Sequence, residues 1–343
     1  GAHLQTKGQI PDIIGTMSTQ RGWGIIGTGG IAELQVKDLI TAGRRVAAVG
    51  SRRAASADAF GARFDIPNRH GSYEQLVEDA TVDIVYVATP HPMHVDGALM
   101  AIDAGKNVLL EKPFTMDAEE ARRVAEAAKA KGVFVMEAMW SRFLPSMVRV
   151  MELVRGGAIG TPRVLLADHN QYIPRDKAKR LHLPELGGGA LLDLGIYPIS
   201  FASQLFGAPR QVTARATFTD LGVDELTAII LEYRSGAQAS LHTGFLAAGP
   251  NVASIVGSEG RIDIDSVWYN QTSFTHRDRS GEVVERYEKQ IEGRGMQYQA
   301  LEVERCLREG IETSPTMPIE ESVAIMETMD EVRRQIGLEY PSR

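Results

Sequence analysis

Three consecutive residues, Glu111-Lys112-Pro113, place a carboxylate, an amine and a rigid ring at the end of a short apolar run. A lysine at the carboxyl end of a buried strand can lose part of its hydration and donate a proton or a hydrogen bond to a reacting oxygen. The simpler alternative is a strand-end lysine in an ordinary ion pair with Glu111, and this stretch alone favours that alternative.

A second stretch, Gly187–Tyr197, joins three glycines to Asp193 and Tyr197. Residues 190–205 have a helical pattern, so these two side chains, four residues apart, are expected on one helix face. An acid beside a phenol can orient it or adjust its acidity for proton transfer. An exposed aspartate beside a half-buried tyrosine is the alternative, which this stretch alone slightly favours.

A glycine-rich turn indicates a dinucleotide site. Gly27-Thr28-Gly29-Gly30-Ile31-Ala32 follows an apolar strand and fits G-x-G-x-x-A, whose backbone amides can approach a pyrophosphate at a helix N-terminus. A helix over 32–42 and a strand over 45–49 are predicted next. A glycine-rich turn in some other α/β protein is the alternative.

The end of the second strand distinguishes the two dinucleotides. It reads Gly50-Ser51-Arg52-Arg53, with no acid to bind the ribose hydroxyls. Ser51, Arg52 and Arg53 therefore favour the 2′-phosphate of NADP over NAD. A solvated basic helix start is the alternative, although cations are unfavourable there unless an anion is bound.

The order of the predicted elements indicates two structural units. Strands and helices alternate up to a strand over 133–136, which is typical of a doubly wound parallel sheet of about six strands. Longer strands joined by hairpins or short loops follow, and they predict an α+β unit with an open, mostly antiparallel sheet. We therefore expect an α/β chain with a Rossmann dinucleotide-binding domain over 17–140 and a substrate and dimerisation domain over 141–343. A last helix over 318–336 could return to the first domain, and residues 1–16 are interpreted as a tag remnant or a disordered extension.

Composition narrows the function class. Of 343 residues, 43% are hydrophobic and 24% are charged, as in an ordinary globular protein, and the net charge of −7 argues against nucleic acid and anionic membrane as partners. The single cysteine, Cys306, excludes an intramolecular disulfide and a cysteine-based zinc cluster. Since no apolar run reaches membrane-spanning length, we predict a cytoplasmic protein. We also predict that it binds no metal.

Polar and aromatic residues near these motifs are candidate ligand contacts. The loop Thr89–His94 follows a predicted strand, and its two histidines lack a nearby acid or cysteine for a metal, so structural or substrate-facing roles are favoured. Besides the glycine turn and the Ser51 region, the expected cofactor contacts are Thr89, Pro90, His91, His94, Glu111, Lys112, Trp140 and Arg142. The expected substrate contacts are His94, Lys112, Trp140, Asn170, Tyr172, Asp193, Tyr197 and Tyr298. For each of these, a purely structural role is an alternative.

Taken together, Gly27–Ala32, Glu111-Lys112-Pro113 and Asp193–Tyr197 resemble, in order and spacing, the Gfo/Idh/MocA oxidoreductase family. Met139–Phe143 and Gly189–Tyr197 look most like its branch of dimeric dihydrodiol dehydrogenases and NADP-dependent D-xylose dehydrogenases. The resemblance implies a Rossmann domain, a second domain whose sheet face often forms a homodimer, and a nicotinamide beside Lys112–Pro113, commonly with a cis peptide bond. It also implies catalytic positions at Lys112, Asp193 and Tyr197, where many relatives have histidine at the last position.

The implied activity is hydride transfer between NADP(H) and a hydroxyl or carbonyl carbon of a sugar or cyclic vicinal diol. In this hypothesis Tyr197 is the acid/base on the substrate oxygen, Lys112 polarises that oxygen and favours the phenolate, and Asp193 holds the geometry. An NADPH-dependent sugar 3-ketoreductase is an alternative, because such enzymes share the triple glycine. A non-catalytic dinucleotide-binding regulator and a lyase or glycosidase that oxidises its substrate transiently remain open as other classes.

Overall fold

The first of two sheets is parallel throughout, in a computed structural model that describes residues 20–342. Its six strands lie in the order β3-β2-β1-β4-β5-β6. They are β1 (Trp23–Ile26), β2 (Val46–Gly50), β3 (Asn68–His70), β4 (Ile84–Val87), β5 (Asn107–Glu111) and β6 (Val135–Ala138). The central strands are apolar and fully buried because helices cover both faces. The predicted doubly wound sheet is confirmed, and the interpretation of residues 1–16 lies outside the described residues.

Five helices connect these strands: α1 (Gly30–Thr41), α2 (Ala54–Arg63), α3 (Tyr73–Glu78), α4 (His94–Asp103) and α5 (Ala118–Lys131). Local chemistry sets their ends. The hydroxyl of Ser72 accepts a hydrogen bond from the backbone of Gln75 at the start of α3, and Asp117 caps α5 in the same way. Gly132 ends α5 in the left-handed conformation, with φ of 69°. Since the strand order reverses between β1 and β4, a crevice forms at their carboxyl ends.

The second sheet has eight strands in the order β14-β13-β12-β11-β7-β10-β9-β8, and all its pairs are antiparallel except β7 with β10. The strands are β7 (Pro162–Asn170), β8 (Gln211–Phe218), β9 (Asp224–Glu232), β10 (Gln238–Gly244), β11 (Ala253–Gly257), β12 (Gly260–Ile264), β13 (Phe274–Asp278) and β14 (Val283–Tyr287). The predicted mostly antiparallel sheet is confirmed. Its last three strands were not predicted, because they are short and rich in charged residues.

Four further helices complete the described part of the chain: α6 (Pro145–Arg155), α7 (Ile196–Phe206), α8 (Gln297–Glu309) and α9 (Ile319–Ile336). A π-helical turn, Leu191–Gly195, leads into α7, so the helix predicted over 190–205 is not a regular α-helix. Helix α9 returns to the first sheet, where Ser322 donates a hydrogen bond of 2.9 Å to Glu137 at the end of β6. No helix within residues 20–342 is long and apolar enough to cross a membrane.

Candidate active site

A cavity of about 590 Å³ lies where the carboxyl ends of β1, β4, β5 and β6 meet the second sheet. The structure brings most of the predicted site residues to its wall. From the first domain these are Gly29, Gly30, Ile31, Thr89, Pro90, His91, His94, Glu111, Lys112 and Trp140, and from the second domain they are Asp193 and Tyr197. The cavity therefore joins the glycine turn to the triple-glycine stretch.

The glycine turn leaves room for a ligand. Gly27 has φ of 107°, and a Cβ there would come within 2.7 Å of the Ala88 carbonyl oxygen. At Gly29 and Gly30 a Cβ would meet nothing within 4 Å, so any side chain would project into the open cleft. Gly29 is also the N-cap of α1 and offers no side-chain cap, which leaves the first amides of the helix available for an anion.

The end of β2 has the shape expected of a phosphate site. Ser51 is only 9% exposed, and its hydroxyl accepts a hydrogen bond of 3.3 Å from the backbone of Arg53. Arg52 and Arg53 are exposed at the start of α2. These residues can hold the 2′-phosphate of NADP through charge-assisted hydrogen bonds.

Lys112 is tied to the second domain. Its ammonium donates hydrogen bonds to the Asp193 carbonyl oxygen at 2.7 Å and to Oδ1 of Asp193 at 3.4 Å. It also lies 5.0 Å from the centre of the Tyr197 ring, and the Lys112–Pro113 peptide bond is cis. Although burial of the ammonium opposes it, the charge of Asp193 raises the pKa of Lys112, so this residue is a cation.

Glu111 does not form the ion pair that was the simpler alternative for this stretch. Its carboxylate is 4% exposed and accepts hydrogen bonds from the Tyr86 hydroxyl at 2.5 Å and from the backbone of Lys112 at 3.0 Å. Burial raises the pKa of Glu111 to about 6. Glu111 thus holds the end of β5 in place beneath the reacting groups.

The carboxylate of Asp193 contacts nitrogen atoms of three neighbouring side chains rather than the phenol of Tyr197. Its Oδ1 lies 3.3 Å from Nε2 of His91, 3.4 Å from Nζ of Lys112 and 3.3 Å from a terminal nitrogen of Arg180. Burial would raise the pKa of Asp193, but Lys112 and these neighbours hold it well below the usual range. Asp193 is an anion that anchors Lys112.

Tyr197 receives its hydrogen bond from Trp140, whose indole Nε1 donates to the phenolic oxygen at 2.7 Å. Of the two expected effects of Asp193 on the phenol, the structure shows the adjustment of acidity, since the charge of Asp193 raises the pKa of Tyr197, while the hydrogen bond comes from Trp140. Because an indole N–H can only donate, the phenolic oxygen accepts there and its own proton is free to face the cavity. Burial raises the pKa of Tyr197, while Lys112 and the Trp140 hydrogen bond act in the opposite direction.

The two loop histidines are structural anchors. His94 is fully buried, and its ring nitrogens lie 2.7 Å from the Pro113 carbonyl oxygen and 3.0 Å from the Thr89 carbonyl oxygen. Burial lowers the pKa of His94 to about 3. Although this ring borders the cavity, its nitrogens face backbone carbonyls, so the predicted hydrogen bonding of His94 to substrate is not supported. His91 lies 3.1 Å from the Gly187 carbonyl oxygen, beside the triple glycine.

Nine predicted contact residues do not line this cavity. Five of them, Gly27, Thr28, Ser51, Arg52 and Arg53, belong to the glycine turn and to the end of β2, and the other four have other partners. Arg142 is 3% exposed and binds both carboxylate oxygens of Glu321 on α9, at 2.8 and 3.0 Å. Its side chain is therefore directed to α9 and to Ser200 on α7, not to the cavity.

The other three are predicted substrate contacts on the second domain. Asn170 donates to Asp168 at 3.2 Å and accepts from His242 on the sheet. Tyr172 is 64% exposed, and Tyr298 packs on the hydrophobic core from α8. These positions were chosen for residue type, and the sequence does not reveal which way each side chain points.

The structure adds cavity residues that the sequence reasoning missed: His169, Gln171, Arg180, Tyr269, Asn270 and Arg294. His169, at the end of β7, stacks on Tyr269 with ring centres 3.7 Å apart. The guanidinium of Arg294 lies 5.1 Å from the Trp140 ring centre. Arg180 could have been noticed as a charge just ahead of the triple glycine, but Arg294 lies in a loop without any pattern.

Comparison with protein families gives two matches along the chain. A profile described as an oxidoreductase family with an NAD-binding Rossmann fold, GFO_IDH_MocA, matches residues 21–139. The GFO/IDH/MocA C-terminal domain matches residues 147–263. Both halves of the cavity thus lie in segments that match the same family.

Two characterised relatives cover nearly the whole chain. It is 38% identical over 331 residues to trans-1,2-dihydrobenzene-1,2-diol dehydrogenase of Xenopus laevis, a match covering 93% of this chain and 99% of the relative. It is 36% identical over 363 residues to D-xylose 1-dehydrogenase (NADP(+)) of Hypocrea jecorina, covering 93% of each.

Solved structures show the same architecture. A 3-ketoreductase from Actinomadura kijaniata, in complex with NADP and TDP-benzene, superposes with a TM-score of 0.81 at 28% identity, covering 93% of this chain and 98% of that one. The aldose-aldose oxidoreductase of Caulobacter crescentus, complexed with glycerol, gives a TM-score of 0.82 at 26% identity and covers 92% and 97%.

Proposed function

The chain belongs to the Gfo/Idh/MocA oxidoreductase family, and on this premise we propose that it is an NADP(H)-dependent dehydrogenase or reductase. It acts on a hydroxyl or carbonyl carbon of a sugar or cyclic vicinal diol. One observation carries this proposal: a buried lysine cation and a phenol with a free proton meet in the same cavity as the glycine turn. The named relatives act on the same kinds of compound.

NADP is the cofactor that the residues fit. The open space above Gly29 and Gly30 accepts a pyrophosphate, and Ser51 with Arg52 and Arg53 suits a 2′-phosphate. The xylose dehydrogenase is named for NADP(+), and the ketoreductase structure contains NADP. When bound, the nicotinamide supplies the two-electron chemistry, which leaves the protein to orient the substrate and to manage one proton.

Tyr197 manages that proton. Its oxygen accepts from Trp140, so the O–H can point at the substrate oxygen, donating a proton in reduction and receiving one in oxidation. The ammonium of Lys112 stabilises negative charge on the substrate oxygen or the phenolate. Asp193 holds that ammonium through both its carbonyl and its carboxylate.

The protonation state of Tyr197 bears on both reaction directions. Because burial raises the pKa of Tyr197, the phenol keeps its proton at neutral pH and is ready to donate it to a carbonyl oxygen. The same groups run the oxidation at higher pH, where the phenol can accept a proton more easily.

We further propose that the division between the domains lies near residues 140 and 141, and that two copies of the chain associate through the open face of the second sheet. Leu166 and Ile230 are 48% and 46% exposed on that face. Both lie directly opposite Ser240 in the strand register, one on each side of it, so they project from the same face of the sheet. A cytoplasmic location remains a prediction from composition.

Absorbance of reduced nicotinamide tests the function. Candidate aldoses and cyclic diols are offered with NADP and with NAD, and keto-sugars with NADPH. A dehydrogenase accumulates reduced cofactor, a transient oxidant does not, and a regulator produces no change. A clear preference for NAD would contradict the assignment of Ser51, Arg52 and Arg53, whereas absence of any net redox turnover would contradict the enzyme assignment.

A further inference from the structure

A basic segment borders the substrate end of the cavity. Residues 175–180 read Arg-Asp-Lys-Ala-Lys-Arg, four cations and one acid, in a chain whose net charge is −7. Arg180, the last residue of this segment, lines the cavity, and so does Ile173, two residues before the segment begins. Arg175 is neutralised by an ion pair with Asp220. Within residues 20–342, no carboxylate pairs with the exposed Lys177 or Lys179.

Arg180 itself is only partly engaged. One terminal nitrogen lies 3.3 Å from Oδ1 of Asp193 and the other lies 3.4 Å from Nε2 of His91, which are long contacts. A guanidinium has five N–H donors, so at least three remain for a ligand. The side chain is 40% exposed, which leaves it accessible from the cavity.

The charge of Arg180 is only partly matched by its neighbours. Oδ1 of Asp193 is shared by Lys112 and Arg180, so one carboxylate faces two cations. The second nearby carboxylate, Glu111, accepts hydrogen bonds from Tyr86 and from the backbone of Lys112, not from Arg180. Arg180 therefore keeps hydrogen-bond donors that an anionic ligand could occupy.

The cofactor phosphates do not account for this charge. They belong at the ends of β1 and β2, whereas Arg180 reaches Asp193 and, through it, Lys112 at the end of β5. Two strand spacings, about 10 Å, separate the ends of β1 and β5 in this sheet. Arg180 thus lies on the Lys112 side of the cavity, away from the glycine turn, where the proposed function puts the substrate.

We propose that the substrate carries an anionic group, a carboxylate or a phosphate, which Arg180 binds while Lys177 and Lys179 attract it to the cleft. The inference rests on the proposed function and narrows its substrate class to acidic sugar derivatives. Arg180 forms paired, charge-assisted hydrogen bonds to such a group, in the same cavity as Tyr197. The exposed lysines act at longer range and raise the rate of encounter.

Three compounds with one common ring test the proposal: D-glucose, D-glucuronate and D-glucose 6-phosphate, each with the NADP-saturated protein. Turnover is followed by NADPH absorbance, and binding is followed separately by calorimetric titration. We expect kcat/KM for one of the acidic sugars to exceed that for D-glucose by at least about tenfold. The advantage should shrink as ionic strength rises, while the value for D-glucose stays constant. Whichever acidic sugar is preferred identifies the group as carboxylate or phosphate.

Two variants separate recognition from a role through Asp193. Arg180→Gln should reduce kcat/KM and affinity for the acidic sugar by about tenfold more than for D-glucose. Lys131→Gln removes an exposed cation at the end of α5, at the opposite edge of the first sheet, and should leave the ratio unchanged. An equal loss for all three sugars in Arg180→Gln would mean that Arg180 only positions Asp193, and would overturn the inference.

Failure of the inference is distinguishable from failure of the function. If D-glucose is oxidised and neither acidic sugar is preferred, the anion site is wrong and the proposed function stands. If neither these sugars nor the diols and keto-sugars of the wider panel are turned over, but an acidic sugar binds in an Arg180-dependent manner, the function is wrong and the anion site stands. If none of these compounds is turned over and no sugar binds in that manner, both are wrong.

Discussion

At the residue scale, the hydrogen bond from Trp140 to Tyr197 determines where the phenolic O–H can point. The indole donor occupies one lone pair of the phenol, 2.7 Å away, and so leaves the phenolic proton for the substrate. The same bond lowers the pKa of Tyr197 against the larger effect of burial, which raises it. Trp140 therefore positions and tunes the residue proposed to be catalytic.

Replacing the phenol tests its role directly. Tyr197→Phe should lower kcat by about a hundredfold or more, because the proton donor is lost, while the Kd for NADP stays within about twofold. Steady-state turnover measures the change in kcat, and a cofactor titration measures the Kd for NADP. Tyr172→Phe, which alters an exposed tyrosine away from the cavity, is the matched control and should behave as the parent protein. Near-normal turnover in Tyr197→Phe would remove the phenol from the mechanism.

Replacing the indole tests the tuning. Trp140→Phe removes the donor that lowers the pKa of Tyr197, so the pH limb governed by this phenol should move to higher pH in both reaction directions. The pH profile of kcat in oxidation and in reduction measures the shift. Arg294→Gln removes the guanidinium over the same ring but keeps the hydrogen bond, and should leave the limb in place. An unmoved limb in Trp140→Phe would contradict the assignment.

At the scale of elements, the helical segment that carries Asp193 and Tyr197 is anchored at its N-terminal end. The backbone amide of Leu191 donates a hydrogen bond of 2.8 Å to the buried carboxylate of Asp224. Two residues before the π-helical turn begins, Gly189 has φ of 100°, and a Cβ there would overlap the other oxygen of Asp224. The hydroxyl of Tyr340 donates to the Gly188 carbonyl oxygen at 2.5 Å. The triple glycine is required where backbone and carboxylate come this close.

A pair of glycine substitutions separates backbone strain from steric overlap. Gly222 also has positive φ, at 88°, but a Cβ there would meet nothing within 4 Å. Gly222→Ala should cost about 1 kcal/mol of unfolding free energy from strain alone. Gly189→Ala should cost clearly more and should also lower kcat, because the overlap displaces Asp193 and Tyr197. Denaturant unfolding measures the loss of unfolding free energy in each variant, and steady-state assays measure kcat. Equal losses of unfolding free energy in the two variants would show that the Asp224 side chain moves aside without an energetic penalty.

The contact between β6 and α9 makes stability depend on pH. Burial raises the pKa of Glu137 to about 7 from an ordinary value of 4.5, so the folded state binds a proton that the unfolded state releases. This contribution to stability is full below pH 4.5 and is lost as pH rises through about 7. Glu137→Gln should therefore gain roughly 3 kcal/mol relative to the parent protein over that interval. Unfolding free energies across the pH range measure the gain.

The control for that measurement is Glu126→Gln, which changes an exposed carboxylate on α5. It should show the same pH dependence of stability as the parent protein. A parallel pH dependence in Glu137→Gln as well would show that the pKa of Glu137 is the same in the folded and unfolded states.

Elements set by local patterns were predictable, whereas side-chain direction across the domain boundary was not. The glycine turn and the end of β5 follow from short runs of sequence, and the parallel sheet brings them to one edge. The π-helical turn directs Asp193 towards Lys112, and an i, i+4 pattern cannot reveal that change. Arg142 was misplaced because its partner, Glu321, lies far away in the chain on α9.

At the scale of the whole molecule, the open face of the second sheet is the surface proposed for association between two copies of the chain. Leu166→Glu introduces a charge at the centre of this face, where burial against a second copy would leave it unpaired. Light scattering should show the mass falling from two chains to one at micromolar concentration. Leu301→Glu, the same change at a 37% exposed leucine on α8, should keep the parent mass. A parent protein that is already monomeric would contradict the proposal.

Trp23 in the first strand donates a hydrogen bond of 2.9 Å to Glu304 in α8, across 281 positions of the chain. Helix α9, later still, covers the end of β6. During synthesis the ribosome therefore releases all six strands of the first sheet well before the helices that complete its cover. Nascent chains of intermediate length expose apolar strand surface, which is the surface that chaperones bind. The cofactor domain is synthesised before the second sheet but is among the last parts of the protein to be finished.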